Sequence, residues 1–196
     1  MSSISVAGDT SGSVTLQAPA ISGSTVLTLP AVSGTVITNT AGVVTQAMLS
    51  TNVAGNGPAF SAYSSAYQNV TSNTLTKVII NTEIFDTNSN YDNVTNYRFT
   101  PTIAGYYQCS YAVHGGASGG TMQVTNACLY KNGTEYPVGY GTGSFVYATA
   151  VSEQQAAGST LVYLNGSTDY IELWGKVIGT SPNLSGVFTT FLARSA

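Results

Sequence analysis

The stretch Tyr97-Arg98-Phe99-Thr100-Pro101-Thr102-Ile103-Ala104-Gly105-Tyr106-Tyr107-Gln108-Cys109-Ser110-Tyr111-Ala112-Val113 decides the fold of this chain. Pro101 has no N–H to donate to a strand ladder, so we expect it at the end of a strand. Ala104-Gly105 suits a tight reversal, because glycine tolerates the backbone angles that turns require. The stretch therefore predicts a strand, a corner and a second strand.

Side chains after this corner alternate in character along the chain. Tyr107, Cys109 and Tyr111 fall on one side of an extended backbone, whereas Gln108 and Ser110 fall on the other. A period of two is typical of a strand with one buried face. We therefore expect Tyr107 and Tyr111 in the core of a β-protein.

The composition of the whole chain excludes several function classes. Only 7% of its 196 residues are charged and the formal net charge is −3, with the lysines and arginines scattered singly. No basic stripe is present to bind nucleic acid. No apolar run approaches the roughly 18 residues of a membrane span, and the N-terminus lacks the features of a signal peptide. We expect a protein made in a cytoplasm, with neither nucleic acid nor membrane as partner.

The two cysteines, Cys109 and Cys128, do not form a disulfide framework. If Leu129 faces the core, alternation directs Cys128 outward and away from Cys109. We therefore expect free thiols, in line with a reducing compartment.

Residues 1–57 differ in kind from the rest, since Asp9 is their only charged residue. Units beginning at Gly12, Gly23 and Gly34 repeat a β-branched strand pattern at a spacing of about 11 residues. Such short strands cannot form a core alone, yet they are too apolar for a solvated tail. We interpret residues 1–57 as an assembly or docking arm covered by another chain; a disordered leader is the alternative. Its predicted contact residues are Val14, Leu16, Val26, Leu27, Leu29, Val36 and Ile37.

Residues 58–196 are predicted to form one all-β domain, with the boundary at Gly55-Asn56-Gly57-Pro58. Predicted strands cover residues 59–63, 75–85, 123–131, 145–152, 159–164, 170–177 and 187–193, and a glycine-rich loop covers 115–120. Asn132-Gly133 is a strong hairpin signal. Many short strands with frequent turns favour a β-sandwich or jelly roll.

Five motifs in this domain occur in a familiar order. They are Phe99-x-Pro101, Gly105-x-Tyr107, Lys131-Asn132-Gly133, Asp169-Tyr170-Ile171 and Phe188-Thr189-Thr190-Phe191-Leu192. Together they resemble the C1q/TNF-like jelly-roll domain over residues 58–196. The resemblance implies a jelly-roll sandwich that packs as a homotrimer, with Phe99, Tyr107, Tyr111, Leu129 and Phe191 in its core. The sparse charge and the lack of a collagen-like stalk depart from that family, and no calcium or ligand residues are transferred.

The N-terminal arm has a resemblance of its own. The run from Leu16-Gln17-Ala18-Pro19 through Leu27-Thr28-Leu29-Pro30 to Gly34-Thr35-Val36-Ile37 looks like the leader of many bacteriophage tail-fibre and virion-surface proteins. The resemblance spans about thirty residues of low complexity. It implies an extended β arm that precedes a C-terminal head on a virion.

The sequence carries no convincing catalytic, cofactor or metal motif. The single histidine, His114, has no Cys or carboxylate at ligand spacing. Glu83 with Asp86, and Asp169 with Glu172, are interpreted as turn and edge charges rather than a catalytic pair. We predict no enzyme activity and no cofactor.

Tyrosine is the enriched aromatic residue, and Tyr136 and Tyr140 in a glycine-rich segment are candidate surface contacts. Exposed tyrosine suits contact with carbohydrate or protein; packing at a subunit interface is the favoured alternative. A host-surface glycan is therefore a candidate partner.

The whole pattern predicts a trimeric virion protein of a bacteriophage. The favoured role is capsid decoration, with the arm docked on the major capsid protein or another virion protein and the head projecting outward. A tail-fibre or spike tip that binds a receptor is the alternative. A free cellular C1q-like lectin is a third possibility, and the missing signal peptide argues against it.

Overall fold

The computed structural model describes residues 3–7, 13–17, 55–117, 122–137 and 151–196, and the chain divides into two compact units, Met1–Val43 and Val44–Ala196. The strands are β1 (Ser3–Ala7), β2 (Ser13–Gln17), β3 (Ala59–Tyr63), β4 (Gln68–Asn69), β5 (Thr76–Lys77), β6 (Thr82–Asp86), β7 (Tyr91–Asp92), β8 (Arg98–Phe99), β9 (Ala104–Ala117), β10 (Met122–Lys131), β11 (Thr134–Tyr136), β12 (Glu153–Asn165), β13 (Ile171–Gly179) and β14 (Pro182–Ser195). No helix occurs among the described residues, so none there is long and apolar enough to cross a bilayer.

The first unit contains an antiparallel hairpin. Strands β1 and β2 pair in register from Ser3 with Gln17 to Ala7 with Ser13. An isolated two-stranded hairpin of this length is marginally stable in water. The predicted boundary after Gly57 stays a prediction.

The second unit contains two antiparallel sheets. The first sheet has the strand order β12-β9-β14-β3-β6, with β4 also paired to β14, and the second has the order β11-β10-β13-β8-β7, with β5 also paired to β13. From β8 onward the chain repeatedly crosses between the two sheets, which gives the interleaved strand orders of a jelly roll. The predicted all-β jelly-roll fold is thus confirmed.

The core lies between the inward faces of the two sheets. The alternation predicted for β9 is observed: Tyr107 and Cys109 are fully buried and Tyr111 almost so. Phe60 is the centre of an aromatic cluster, with its ring stacked on Tyr91 at 4.3 Å and edge-on to Phe188 at 5.0 Å between centroids. Such pairs stabilise a core beyond the area that they bury.

Ala104-Gly105 does not form the predicted reversal; both residues lie at the start of β9, and residues 100–103 make the corner. The glycine is needed for close packing instead. A Cβ at Gly105 would lie 2.5 Å from the carbonyl oxygen of Arg194 and 2.6 Å from Cδ1 of Leu192. The glycine therefore lets β9 and β14 approach each other at a bulge in their pairing.

The predicted bounds of one strand and one loop were wrong. The run 75–85 forms two short strands in different sheets, β5 and β6, because the chain crosses the sandwich between them with Val78 and Ile80 buried on the way. The predicted loop 115–120 begins too early, since β9 keeps its pairing with β14 as far as Ala117. Ladder hydrogen bonds on both sides of β9 outweigh the low strand propensity of glycine. The predicted strand 145–152 lies outside the described residues except for 151–152.

The hairpin prediction at Asn132-Gly133 is confirmed. Strands β10 and β11 flank these two residues, which have φ values of 52° and 78°. Positive φ at both central residues is characteristic of a type I′ turn. The side chain of Asn132 also donates to Asp169 at 2.8 Å, which connects this turn to the segment before β13.

Candidate assembly surface

The outward face of the first sheet carries most of the exposed apolar surface of the domain. We call its outward side chains on β3, β6, β9, β12 and β14 the assembly face. Eleven large hydrophobic side chains are exposed among the described residues, and seven of them lie on this face: Tyr63, Phe85, Tyr106, Leu161, Tyr163, Val187 and Phe191. A sheet face with this many exposed large apolar side chains is a candidate interaction surface.

Strand register brings these side chains together across the sheet. Phe191 pairs with Gln108, which pairs in turn with Leu161, so the two apolar residues flank one amide. In the next row Tyr106 and Tyr163 are directly opposite, with ring centroids 5.4 Å apart. Apolar and aromatic groups thus alternate with small polar ones over adjacent strands.

The assembly face also lacks charge at its centre. Glu153 is the first residue of β12 and Arg194 is the penultimate residue of β14, so both lie near strand ends. The outward positions between them on β9, β12 and β14 are held by uncharged residues. Depletion of charge at the centre distinguishes interface cores from ordinary surface.

Polar side chains on the assembly face bind one another. Gln108 donates to the hydroxyl of Ser159 at 2.7 Å, and the hydroxyls of Ser61 and Thr189 are 2.9 Å apart. Because these groups already have partners, covering the face removes water without leaving them unpaired. The face is therefore suited to burial.

His114 lies at one end of the assembly face beside a hollow of about 270 Å³. Its Nδ1 is 2.6 Å from the hydroxyl of Tyr67, and its Nε2 is 3.8 Å from a carboxylate oxygen of Glu153. Burial and the nearby Glu153 carboxylate raise the pKa of the Tyr67 hydroxyl. The hollow is lined by Tyr63, Ser64, Ala112, His114, Gln155, Ser185, Gly186 and Val187.

The outward face of the second sheet is different in character. The indole of Trp174 stacks on Tyr130 with centroids 4.5 Å apart, and its Nε1 donates to Glu172 at 3.1 Å. The other carboxylate oxygen of Glu172 is 2.6 Å from Nζ of Lys77. Glu172 is only 4% exposed, so this ion pair and the indole N–H satisfy a buried carboxylate. This face is polar and its aromatic groups are held in fixed orientations.

Four of the five predicted core residues lie in the core and the fifth does not. Phe99, Tyr107, Tyr111 and Leu129 lie in the core, but Phe191 does not: it is 49% exposed on the assembly face. Phe188 and Phe191 are three residues apart in one strand and therefore face opposite sides of the sheet, and Phe188 takes the core position. The prediction for Phe191 was wrong.

Other predicted sites are only partly described. Tyr136 on β11 is half-buried and packs against the core, whereas Tyr140 lies outside the described residues. Of the predicted arm residues, Val14 and Leu16 lie on β2; Val26, Leu27, Leu29, Val36 and Ile37 lie outside the described residues. The arm contacts therefore stay predictions.

Both cysteines are free, as predicted from their opposite orientations, and both are buried. Burial raises the pKa of each thiol to about 12, which makes both thiols unreactive at neutral pH. Cys109 Sγ lies 3.3 Å from the hydroxyl of Thr190 in the core. Within the described ranges, no three His, Cys, Asp or Glu side chains are grouped so that they could hold a metal ion.

Three of the four acids in the predicted carboxylate pairs have structural partners, including Glu172. Burial and the charge of Asp86 raise the pKa of the fourth acid, Glu83. Asp169 is 3.0 Å from Nζ of Lys131. Asp86 accepts from the backbone N–H of Tyr91 at 2.7 Å. These contacts hold loops in place.

Comparison with known proteins gives no match to a protein-family model and none to a curated protein. Among solved structures, the globular domain of zebrafish complement 1qA protein is 17% identical with a TM-score of 0.48, over 71% of this chain and 99% of that one. Murine APRIL is 11% identical with a TM-score of 0.37, over 68% and 99%. PRD1 vertex protein P5 is 15% identical with a TM-score of 0.37, over 68% and 96%. No fold assignment and no residue role is transferred from these proteins to this chain.

Proposed function

We propose that this chain is a bacteriophage virion structural protein, a trimeric capsid decoration or cement protein. In this proposal, residues 1–57 dock on the shell and the jelly-roll head of residues 58–196 projects outward. The observation that carries the proposal is the assembly face, an apolar surface without charge at its centre. Copies of the chain cover one another through this face.

The strand register supports self-association because it concentrates the apolar groups in the middle of one sheet. Leu161 and Phe191 flank Gln108 in one row, and Val187 pairs with Tyr63 in another. Such a surface is costly in water and is stabilised when a second copy covers it. Three copies per assembly is the number that the C1q/TNF resemblance implies.

The composition of residues 1–57 supports docking on a larger particle. One charged residue in this segment leaves solubility to hydroxyl and amide groups. The β1–β2 hairpin has five residues in each strand, which is too little for a core of its own. Burial against a shell contributes about 25 cal/mol per Å² of apolar area, and three arms on one trimer add avidity.

Two measurements test this proposal. Analytical ultracentrifugation of the full chain should give the mass of a trimer. Deletion of residues 1–57 should abolish co-sedimentation with the phage particle while the remaining head keeps its trimer mass. A monomeric full chain would refute the assembly, and particle binding that survives the deletion would refute the docking role of the arm.

A receptor-binding tail-fibre or spike tip is the second candidate, and the second sheet favours it. Its outward face presents Trp174 stacked on Tyr130, with Nζ of Lys77 6.0 Å from the centroid of the Trp174 ring. Fixed aromatic groups next to charged groups suit contact with a polar ligand such as a host-surface glycan. Under this alternative, purified full chain inhibits phage adsorption, and Trp174→Ala weakens that inhibition without changing the assembly mass.

A further inference from the structure

We infer that the turn Asn132-Gly133 is a site of spontaneous deamidation, and that the fold suppresses this modification by holding the Asn132 side chain against the segment before β13. The inference does not depend on the proposed function. The chain contains three Asn-Gly pairs, at 56–57, 132–133 and 165–166. Asparagine followed by glycine is prone to this reaction, because glycine has no side chain to obstruct attack by its own backbone nitrogen. Asn132 and Gly133 are exposed, so water reaches the turn.

The reaction needs only hydroxide and water. Hydroxide removes the backbone N–H proton of Gly133, and this nitrogen attacks Cγ of Asn132. A bond from the nitrogen to Cγ forms, the Cγ–Nδ2 bond breaks, and the side-chain nitrogen leaves as ammonia with a proton from water. Water then opens the resulting succinimide ring at either carbonyl, which gives aspartate or isoaspartate. No oxidant or reductant is required.

Two hydrogen bonds hold the Asn132 side chain in the folded protein. Its Nδ2 donates to Oδ1 of Asp169 at 2.8 Å, and its Oδ1 accepts the backbone N–H of Tyr170 at 2.9 Å. Burial opposes the ionisation of Asp169, but the hydrogen bonds from Asn132 and Lys131 outweigh it, so the pKa of Asp169 is lower than its ordinary value. Asp169 is therefore a charged acceptor at neutral pH, and hydrogen bonds to charged acceptors are the strong ones.

These hydrogen bonds slow the reaction because the side chain must turn toward the backbone nitrogen of Gly133 before attack. Both bonds to the segment before β13 must break first. Only the locally opened fraction of molecules can then react, as in the exchange of protected amide hydrogens. Deamidation at Asn132 is therefore slower in the folded chain than in the unfolded one.

Conversion of Asn132 weakens this end of the second sheet. Aspartate has no Nδ2 donor and places a carboxylate oxygen where the amide nitrogen lies 2.8 Å from Asp169. Two carboxylates at that distance repel each other, and Lys131, 3.0 Å from the other Asp169 oxygen, can neutralise one charge but not both. Isoaspartate also lengthens the backbone of a two-residue turn whose strands pair at Lys131 and Thr134, and loop length determines the turn type.

The pair Asn165-Gly166 provides an internal control for this consequence. Oδ1 of Asn165 accepts the backbone N–H groups of Ser167, Thr168 and Asp169 at 3.0, 3.0 and 2.9 Å. Aspartate at this position keeps those acceptor contacts. The hydroxyl of Thr168, which accepts from Nδ2 of Asn165 at 2.8 Å, can donate to a carboxylate instead. The same chemical change should therefore be harmless here and harmful at Asn132.

The first test measures the rate of modification. The full chain is incubated at mildly alkaline pH, folded in buffer or unfolded in urea, and peptide mass spectrometry follows aspartate and isoaspartate at position 132. We expect the folded chain to react at least about tenfold more slowly, and Asp169→Ala to restore about tenfold of that rate, as for the loss of one hydrogen bond to a charged group. Asp92→Ala is the matched control, because it removes a carboxylate that holds a different turn, and it should leave the rate at Asn132 unchanged.

The second test compares the thermal midpoints of Asn132→Asp and Asn165→Asp. The first variant should have a lower midpoint than the natural chain, and the second should not. Equal rates in buffer and urea, an unchanged rate in Asp169→Ala, or equal acceleration in Asp92→Ala would overturn the protection of Asn132. If Asp169→Ala does not fold, the comparison of buffer with urea decides that point. A natural midpoint in Asn132→Asp would overturn the structural consequence.

Discussion

Substitution of Phe191 by alanine tests the assembly face directly. The side chain projects from β14 next to Gln108 and Ala59 on the neighbouring strands, and almost half of it is exposed. Because it points away from the core, its removal leaves the interior of the sandwich unchanged. We expect the assembly to weaken while the fold of the protomer stays intact.

The size of the effect follows from the exposed area. Phe191 is 49% exposed, and a phenylalanine side chain offers roughly 200 Å², so about 100 Å² remains for a neighbouring copy to cover. At ~25 cal/mol per Å² this area contributes about 2.5 kcal/mol per copy, of which alanine retains a small part. A loss of about 2 kcal/mol per copy, or about 6 kcal/mol per trimer, lowers the association constant by about 10⁴.

Sedimentation equilibrium over a range of concentrations measures this constant, and chemical denaturation of the dissociated protomer measures its stability. Val94→Ala is the matched control, because Val94 is 75% exposed but lies in the turn between β7 and β8, off the assembly face. The control should associate like the natural chain. An unchanged association constant for Phe191→Ala, or equal weakening in both variants, would show that this face is not the interface.

Three predictions concern the stability of the protomer. The Asp92 carboxylate accepts backbone hydrogen bonds, of which the one from Thr95 contributes most, and they lower its pKa from 3.8 to about 2. Asp92→Ala should therefore lower the unfolding free energy by about 1 kcal/mol at pH 7. In urea titrations this difference between the variant and the natural chain should disappear between about pH 4 and pH 2, because protonation of Asp92 removes the same contribution. Gly105→Ala should lower the thermal midpoint, since its Cβ would lie 2.5 Å from the Arg194 carbonyl oxygen; an unchanged midpoint would contradict the close packing of β9 and β14. Gln154 is 7% exposed and neither atom of its amide has a partner among the residues that the structure describes, so Gln154→Leu should raise the unfolding free energy by about 1 kcal/mol. A lower unfolding free energy for this variant would contradict the prediction.

Local signals in the sequence predicted much of the fold. Alternation identified the inward residues of β9, and Asn132-Gly133 identified the β10–β11 turn, because both signals depend on neighbouring residues. The extents of β5 and β6 were not predictable in this way. Val78 and Ile80 continue an apolar run through a crossing between sheets, and only the tertiary structure separates that crossing from a strand.

The assembly face was present in the sequence but not identified there. The alternation of side chains along β14 predicts that Phe188 and Phe191 face opposite sides of the sheet. It does not predict which of the two sides faces the core. The contact of Tyr67 with His114 joins residues 47 positions apart, and no local pattern indicates it. A site formed by residues on different strands can be identified only when the order of the strands in the sheet is known.

The distribution of charge links the composition of the chain to its proposed function. Seven of its thirteen charged residues lie on strands of the second sheet, and the four on the first sheet lie on β6 or near the ends of β12 and β14. The few charged residues are therefore distributed unevenly between the two sheets. The middle of one sheet face carries aromatic, aliphatic and hydroxyl groups instead. The arm of residues 1–57 has the same kind of composition. Because charge normally keeps exposed surfaces apart, the scarcity of charge in the middle of one sheet face and in the N-terminal segment favours contact at both places, in agreement with the proposed assembly.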